Sequence, residues 1–304
     1  MRVLFMGTPE FAVKPLERLY SDGLDVAGVV TQPDKPRDRG MRTSFSPVKA
    51  LGLEKGTPVY QPEKLDSSFA GKIRELRCDL IVVVAFGKLL PDALLGLPRH
   101  RCVNIHASLL PKYRGAAPIH WAIIKGEKET GVTSIYMSER LDDGDVILSM
   151  KTPIGEDETA GQLHDRLSAM GADLLSDTVK AIESGGVQAY RQNESEATYA
   201  RALKKEMSPI DWTGSAREIK CMVRGLNPWP AATARVCGSP VKVLSVETGA
   251  AKRAAEPGTV VSTGGNGIEI ACADGTVTIT ELQAPGRKRM SAAEYLRGCR
   301  VCHE

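Results

Sequence analysis

Short runs of apolar and β-branched residues alternate with longer segments of helical period through the first two thirds of the chain. This alternation is typical of parallel strands that are joined by crossover helices. One run, DLIVVVAF, is almost continuously apolar, which suits a central strand that is buried on both faces. We therefore predict an α/β domain with a mostly parallel sheet. Its strands are predicted at residues 3–6, 26–31, 80–86, 103–106, 132–137 and 146–152.

The longest predicted helix covers residues 159–184. Apolar residues recur in it at spacings of three and four, which gives the helix one apolar face. We interpret this stripe as part of the hydrophobic core and not as a cofactor site. It consists of Ala160, Leu163, Leu167, Met170 and Leu174.

The pattern changes near residue 206. One amphipathic segment, SAREIKCMVRGLN, precedes four strand-like runs that are separated by Gly, Pro and Asn. These runs, PVKVLSVE, GTVVSTG, GIEIACAD and TVTITELQ, are spaced as in a small β-barrel. The polar stretch before them has little apolar content to bury, which is typical of a linker. The prediction is thus a Rossmann-like domain at 1–190, a linker at 191–206 and a small OB-like β-barrel domain at 207–304.

Composition restricts the class of protein. A chain of 304 residues exceeds the usual size of one domain, and 42% hydrophobic with 25% charged residues is ordinary for a globular protein. No window approaches the roughly 20 apolar residues of a membrane helix, and the apolar run at the N-terminus is too short for a signal peptide. We expect a cytoplasmic protein without a membrane partner. The seven scattered cysteines are expected to be mostly reduced thiols.

The net charge of the chain does not decide whether its partner is a nucleic acid. The formal net charge is only +3, from 40 basic and 37 acidic residues, so it neither requires nor excludes a nucleic acid. A local basic cluster follows the second predicted strand, and a basic loop beside an α/β crevice fits phosphate contacts. The alternative is an ordinary solvated loop. The cluster comprises Lys35, Arg37, Arg39 and Arg42.

The strongest chemical pattern begins where the strand CVNIH ends. Asn104 and His106 are two residues apart, so both side chains project from one face of an extended strand. The carboxyl end of such a strand borders the crevice in which open α/β sheets bind ligands. Pro111 and Gly115 make the following segment irregular, able to wrap a ligand. Asp142 lies in a predicted turn, LDDGD, from which it could orient and charge His106.

These residues resemble the 10-formyltetrahydrofolate-dependent formyltransferases, whose pattern is matched by NIHASLLPKYRG with a downstream LDDGD. The resemblance implies that Asn104, His106 and Asp142 are the catalytic set and that 10-formyltetrahydrofolate is the formyl donor. It also implies a folate site bordered by the SLLP segment and by the strand-end loop VAFGKLLP. The folate-binding residues expected from it are Ser108, Leu109, Leu110 and Pro111 with Phe86, Gly87 and Leu89.

The resemblance extends through nearly the whole chain. MGTPEFA, TQPDKP, SPVK, GAAPI, IDW and NPWP occur in the order of the family members that formylate initiator methionyl-tRNA. It therefore implies a tRNA partner, a role in translation initiation and tRNA contacts by Lys35, Arg37, Arg39 and Arg42. In those members a basic loop at this place enters the acceptor stem, and Arg39 is the first choice for that contact. The loop here is less uniformly basic than theirs. We expect a monomer.

The expected chemistry is attack of an amine on the formyl carbon. This attack produces a tetrahedral oxyanion that needs preorganised donors, which Asn104 and a protonated His106 can supply. Asp142 would hold His106 and could help a water remove the amine proton. No metal ion is needed.

Several alternatives remain at the level of sequence. Alone, an Asn-x-His triplet is more often structural than catalytic, and a non-catalytic tRNA-binding protein would retain the same fold. Formyl transfer to a small amine, such as a glycinamide ribonucleotide or an amino sugar, is the nearest rival. A nicotinamide site is disfavoured because the first turn lacks G-x-G-x-x-G. Cys299, Cys302 and His303 match a haem-attachment pattern. Covalent haem attachment would require export, and we expect no signal peptide, so we interpret this match as chance.

Overall fold

The computed structural model describes residues 1–34, 36–37, 42–43, 45–249 and 255–298. The chain divides into two compact units. The first contains Met1–Pro118, Thr130–Thr152 and His164–Ala200, and the second contains Ile119–Glu129, Pro153–Leu163 and the chain from Arg201 onward. Residues 191–200, inside the predicted linker, therefore belong to the first unit. The domain limits at 190 and 207 remain a prediction.

Up to residue 200 the described chain alternates strands and helices. The strands are β1 (Arg2–Gly7), β2 (Asp25–Val30), β3 (Pro36–Arg37), β4 (Arg42–Thr43), β5 (Val59–Tyr60), β6 (Leu80–Val84), β7 (Cys102–His106), β8 (Arg114–Gly115), β9 (Glu129–Tyr136), β10 (Val146–Pro153) and β11 (Tyr199–Ala200). The helices are α1 (Val13–Ser21), α2 (Pro47–Glu54), α3 (Ser67–Glu75), α4 (Asp92–Leu95), α5 (Pro118–Ile124) and α6 (Ala160–Glu183).

Seven strands form one sheet in the order β10-β9-β7-β6-β1-β2-β5. Strands β1, β2, β5, β6 and β7 run parallel to one another, and β9 is antiparallel to β7. The predicted mostly parallel α/β sheet is thus confirmed. The strand predicted at 80–86 ends at Val84 because Ala85 and Gly87 have positive φ angles of 47° and 77°, which turn the chain out of the sheet.

The order of the strands reverses beside β1. The chain runs outward from β1 through β2 to β5, and then returns to form β6 and β7 on the other side of β1. The carboxyl ends of β1 and β6 are therefore neighbours, with Gly7 paired to Val84. Open α/β sheets bind their ligands at such a switch point.

Both faces of the central strands are buried, as the continuous apolar run predicts. On one face Ile81 and Leu4 pack with Phe69 and Ile73 of α3. The residues that alternate with them in the strands, Phe5 and Val82, are also fully buried. The sheet is therefore a rigid layer on which strand-end side chains can be placed accurately.

Helix α6 carries the predicted apolar stripe. Leu163, Leu167 and Leu174 have no exposed surface, so the core interpretation is confirmed. Two buried hydroxyls also fix α6: Ser168 Oγ donates to the carbonyl of Phe11, and Thr178 Oγ1 lies 2.9 Å from Ser134 Oγ in β9. No helix in the described part of the chain is both long and apolar enough to cross a membrane.

The second unit contains an antiparallel sheet. Its strands are β12 (Ala232–Val236), β13 (Ser239–Gly249), β14 (Val260–Gly264), β15 (Gly267–Ala271), β16 (Thr276–Gln283) and β17 (Met290–Ser291), with helices α7 (Ala216–Gly225) and α8 (Ala292–Arg297). The strand order is β12-β13-β16-β15-β14, with β17 beside β16. Among the described residues the edge strands β12 and β14 do not pair, so the predicted OB-like barrel is not confirmed. Periodicity identifies strands, but closure depends on which edges meet.

Cysteines follow the expectation in most described positions. Cys78, Cys102, Cys221 and Cys272 are free thiols, whereas Cys237 is disulfide-bonded. The group Cys299, Cys302 and His303 lies outside the described residues.

Candidate active site

Asn104 and His106 lie at the carboxyl end of β7, between parallel β6 and antiparallel β9. Their exposed fractions are only 8% and 6%. Buried polar side chains are costly unless they have partners. The groups that face these two side chains therefore decide what the site can do.

Asp142 provides the common partner. It lies in the turn between β9 and β10 with a positive φ of 52°. Its Oδ1 is 3.4 Å from Asn104 Nδ2, and its Oδ2 is 3.6 Å from His106 Nδ1. The backbone N–H of Gly115 donates to the same Oδ2 at 2.9 Å. The structure thus brings an amide, an imidazole and a carboxylate together.

The second nitrogen of His106 is also engaged. Nε2 lies 2.9 Å from the carbonyl oxygen of Tyr113. A carbonyl can only accept, so Nε2 carries a proton in this arrangement. At 3.6 Å, Asp142 is slightly beyond ordinary hydrogen-bond distance from Nδ1 but within reach of an ion pair. The ring is therefore held at both edges.

The turn that presents Asp142 is fixed from behind by Gln192. The side-chain Nε2 of Gln192 donates to the carbonyls of Asp142 and Gly144, both at 2.8 Å. Gly144 leaves no space for a side chain, because a Cβ there would be 1.7 Å from the carbonyl oxygen of Tyr136. The glycine of LDDGD is thus required by close backbone approach.

Arg114 is a buried cation beside this turn, with only 2% of its surface exposed. Its guanidinium donates to Gln192 Oε1 at 2.9 and 3.2 Å and to the carboxylate of Glu194 at 2.7 and 3.0 Å. The hydrogen bond that the guanidinium donates to Glu194 is the main cause that raises the pKa of Arg114 above its usual value. Gln192 therefore bridges the Asp142 turn and a fixed charge.

Strands β8 and β11 position the donor to Asp142. Gly115 pairs with Ala200, and its φ of 113° is a conformation that L side chains rarely adopt. A Cβ at Gly115 would also come within 2.9 Å of the Ala200 carbonyl oxygen. Thr198 Oγ1 accepts from the N–H of Tyr113 at 2.9 Å. Residues 198–200, from the predicted linker, thus hold the loop after β7.

The SLLP segment is ordered by hydroxyl contacts. Ser108 is fully buried, and its Oγ donates to the carbonyl of Lys112 at 2.6 Å. Thr133 Oγ1 donates to the carbonyl of Ser108 at 2.7 Å and accepts from the N–H of Leu110 at 3.2 Å. Leu109, Leu110 and Pro111 are half-buried. The segment therefore has a fixed backbone at the carboxyl end of β7.

The second predicted folate loop follows β6 at the switch point. The Phe86 side chain is 2% exposed and packs in the core, while its carbonyl accepts from Gln32 Nε2 at 2.8 Å. Gly87 has a positive φ, and Leu89 is 57% exposed. Of the side chains predicted to bind folate in this loop, that of Leu89 is thus exposed and that of Phe86 is buried.

The predicted tRNA-binding residues are only partly described. Lys35 and Arg39 lie outside the described residues. Arg37 and Arg42 are paired through their backbones in the antiparallel strands β3 and β4.

Metal or thiolate chemistry has little basis in the described site. No group of three or more His, Cys, Asp and Glu side chains among the described residues could hold a metal ion. Cys102 is two residues from Asn104, but burial raises the pKa of its thiol to about 12. Cys102 therefore remains a thiol at neutral pH.

Sequence reasoning missed the supporting residues of the site. Arg114 lies inside the recognised motif, but nothing local indicates that its side chain is buried. Gln192 lies in a polar stretch whose composition is typical of a linker. Only their contacts across the fold reveal their roles.

Comparison with known proteins identifies the family of this chain. The family model for formyl transferase matches residues 1–179, and the model for the formyl transferase C-terminal domain matches residues 202–300. The chain belongs to the formyl transferase family.

Full-length relatives in the formyl transferase family are similar along the whole chain. A protein of Geobacter metallireducens named methionyl-tRNA formyltransferase is 46% identical over 302 residues, which are 99% of this chain and 96% of that protein. A protein of Bacillus velezensis with the same name is 48% identical, covering 99% of this chain and 95% of that protein.

Solved structures share the fold at low identity. HypX from Aquifex aeolicus in complex with tetrahydrofolic acid is 19% identical with a TM-score of 0.63, over 97% of this chain and 47% of that one. An N-formyltransferase from Helicobacter canadensis in complex with folinic acid and dTDP-3-aminofucose is 17% identical with a TM-score of 0.68, over 93% and 98%. These likenesses concern the fold alone.

Replacing Gln192 tests the support behind the Asp142 turn. Gln192→Met leaves two carbonyls and the Arg114 guanidinium without this partner, and we expect the free energy of unfolding to fall by about 1–3 kcal/mol. Formyl-transfer turnover should fall as well, because the turn loses its anchor. Urea unfolding and initial rates measure these effects. Gln188→Met, at an exposed glutamine nearby, is the matched control. Equal behaviour of the two variants would contradict the role given to Gln192.

Proposed function

We propose that this chain transfers the formyl group of 10-formyltetrahydrofolate to the α-amino group of initiator methionyl-tRNA, for translation initiation. The main support is the identity of 46–48% to relatives named methionyl-tRNA formyltransferase over almost the whole chain. The geometry agrees, because an amide, an imidazole and a carboxylate meet at the carboxyl end of β7. Since translation takes place in the cytoplasm, we propose that the enzyme is cytoplasmic. We also propose that it is a monomer.

Asn104, His106 and Asp142 are the proposed catalytic residues. The amine attacks the formyl carbon, and the bond to N10 of the folate breaks when the tetrahedral intermediate collapses. Asn104 Nδ2 donates to the oxyanion of this intermediate, and protonated His106 donates to it through its Nε2–H, which the oxyanion shares with the Tyr113 carbonyl. Asp142 balances the charge of His106 and, through a water, accepts the proton that the amine loses. The same proton passes to N10 of the folate when the intermediate collapses.

Donors of this kind act best when they are oriented before the reaction. The Asp142 carboxylate is held by the N–H of Gly115, and its backbone is held by Gln192. The imidazole is held by the Tyr113 carbonyl. Little reorganisation is then needed when charge develops.

The folate is proposed to bind against the two loops that follow β6 and β7. Leu109, Leu110 and Pro111 are half-buried, and Leu89 is exposed, so these side chains are free to pack against an aromatic ligand. Ser108 shapes its loop through internal hydrogen bonds. Gly87 and the backbone of Phe86 form the turn that carries Leu89.

Transfer RNA is proposed to contact the basic segment with Lys35, Arg37, Arg39 and Arg42. Cationic side chains gain affinity for RNA by neutralising phosphates. The segment follows β2, beside the carboxyl ends of the parallel strands, where ligands of open α/β sheets bind. A tRNA held here would have its aminoacyl end directed to the same edge of the sheet.

The acceptor is tested by offering alternatives to one enzyme preparation. With 10-formyltetrahydrofolate as donor, we expect formylation of methionyl-tRNA and not of a glycinamide ribonucleotide or an amino-sugar nucleotide. The product is measured by release of formylmethionine from the tRNA. Transfer to a small amine without transfer to the tRNA would refute the acceptor and leave the formyl donor standing.

Truncating the oxyanion donors tests the mechanism. We expect Asn104→Ala and His106→Ala to lower turnover about 100-fold to 1000-fold, as is typical for loss of one such donor. Asn266→Ala, at an exposed asparagine of the second unit, is the control and should retain activity. Thermal unfolding of each variant shows whether it is folded. Near-normal turnover of folded Asn104→Ala would remove Asn104 from the mechanism.

Arg39 tests the tRNA contact. Arg39→Ala should raise the KM for methionyl-tRNA and leave the KM for the folate unchanged, because it removes a proposed phosphate contact and none of the proposed folate contacts. The slope of log affinity against log salt should become shallower by about one. Steady-state kinetics at several salt concentrations measure both quantities. An unchanged slope would count against a phosphate contact by Arg39.

A further inference from the structure

The backbone carbonyl of Tyr113 is the acceptor at the reactive edge of His106. Its oxygen lies 2.9 Å from Nε2, the nitrogen that donates to the oxyanion in the proposed mechanism. The position of this carbonyl therefore decides where the imidazole presents its proton. A backbone carbonyl is placed by the two dihedral angles of its residue. The contacts that fix the backbone of Tyr113 thus bear directly on the imidazole.

Tyr113 has a backbone conformation that needs support. Its φ is 61°, in the left-handed region that side chains other than those of asparagine, aspartate and histidine rarely adopt. Such a conformation costs energy, and it persists only where surrounding contacts determine it. The groups that hold Tyr113 in this conformation therefore also hold the acceptor of His106.

Thr198 binds both peptide groups that flank the α-carbon of Tyr113. Its Oγ1 accepts from the Tyr113 N–H at 2.9 Å, in the preceding peptide group. Its carbonyl oxygen accepts from the Arg114 N–H at 2.8 Å, in the following one. The orientations of these two planar groups define φ and ψ of the residue between them. One residue thus fixes both dihedral angles of Tyr113.

A chain of hydrogen bonds connects the imidazole to Thr198. The Tyr113 carbonyl and the Arg114 N–H belong to one peptide group, so His106 and Thr198 bind opposite edges of the same plane. Hydrogen bonds in series polarise one another, which makes the Tyr113 oxygen a better acceptor for Nε2–H. The Thr198 N–H also donates to the carbonyl of Pro111 at 3.3 Å. Thr198 is therefore bound to three residues of the loop after β7.

The stretch after α6 supports both acceptors of His106 separately. Gln192 holds the turn of Asp142, which faces Nδ1. Thr198 holds Tyr113, which faces Nε2. Thr198 is exposed, and its contact with the ring runs only through Tyr113. Its effect on the imidazole is therefore one of position.

We propose that Thr198 is a positioning residue for His106 in formyl transfer, acting through the backbone of Tyr113. This proposal rests on the proposed function. The fixed carbonyl keeps Nε2–H directed at the place where the oxyanion forms, before charge develops. A ring that can pivot loses part of this preorganisation. The proposed contacts to the folate and to the tRNA remain in place.

Thr198→Val removes the hydroxyl and keeps the shape of the side chain and both backbone contacts of Thr198. We expect the turnover number to fall about tenfold, because rate falls steeply when a reacting group is misplaced. The KM values for methionyl-tRNA and for 10-formyltetrahydrofolate should change less than about twofold, since no proposed substrate contact is removed. Thr198→Ser keeps the hydroxyl and should restore most of the turnover.

Thr263→Val is the matched control, because Thr263 is an exposed threonine of β14 in the second unit. Equal turnover numbers for Thr198→Val and Thr263→Val would overturn the proposal. So would Thr198→Ser as slow as Thr198→Val, since the hydroxyl would then not be responsible. A lower turnover number with higher KM for both substrates and lower thermal stability indicates a merely structural role and also overturns it. If Thr198→Val does not fold, Thr198→Ala decides by the same criteria.

Hydrogen exchange at His106 reports on the ring independently of the reaction. In protein with isotope-labelled histidine, the nuclear magnetic resonance signal of its Nε2–H is identified by its loss in His106→Gln. We expect this proton to exchange with water about tenfold faster in folded Thr198→Val than in Thr263→Val, as for a loss of one hydrogen bond. Equal rates, or no such signal in the wild-type protein, overturn the proposal. A wild-type protein that shows the signal but does not formylate methionyl-tRNA would instead refute the proposed function.

Discussion

The carboxylate side chain of Asp142 is only 13% exposed, and the arrangement of the site follows from the need to satisfy this charge. A charged group removed from water costs several kcal/mol, on the order of magnitude of the stability of a whole domain, unless donors surround it. The donors here come from separate places in the chain: the amide of Asn104 on β7, the N–H of Gly115 on β8 and, when protonated, the ring of His106. Each must be held where the carboxylate requires it. The left-handed turn at Asp142, the glycine at 144 and the pairing of β8 with β11 are consequences of this requirement.

The parts of the site that sequence could predict are those with a local pattern. Asn104 and His106 are two residues apart on one strand, so their common face follows from the geometry of a strand. The sheet was predictable for the same reason, because buried parallel strands produce apolar runs. Predicting the role of Asp142 required more than a local pattern, because the sequence indicates its turn but not its distance from His106. The family resemblance supplied that link, and the structure brings the three side chains together.

Other features depend on contacts that leave no local trace. Gln192 lies in a polar stretch that was interpreted as a linker, yet it is buried because it bridges the Asp142 turn and Arg114. Phe86 lies in a loop expected at the folate, yet its ring packs in the core, since the positive φ at Ala85 changes the direction of the chain. The predicted barrel is not confirmed, for a related reason. Strand periodicity does not say whether β12 and β14 meet, because that depends on the twist of the whole sheet.

Two neutral amides, Gln192 and Gln61, help to orient charged side chains in the first unit. Gln192 connects a buried guanidinium with two carbonyls, and Gln61 connects an ammonium with a carboxylate. An amide both donates and accepts, so one side chain can satisfy partners of opposite polarity. It also does not titrate. The hydrogen bonds of Gln192 behind Asp142 therefore do not depend on the protonation states of Asp142 and His106. A charged residue in the place of Gln192 would interact differently with each of these protonation states. The proposed reaction creates and removes charge within each cycle, and the charge of this supporting side chain stays constant through it.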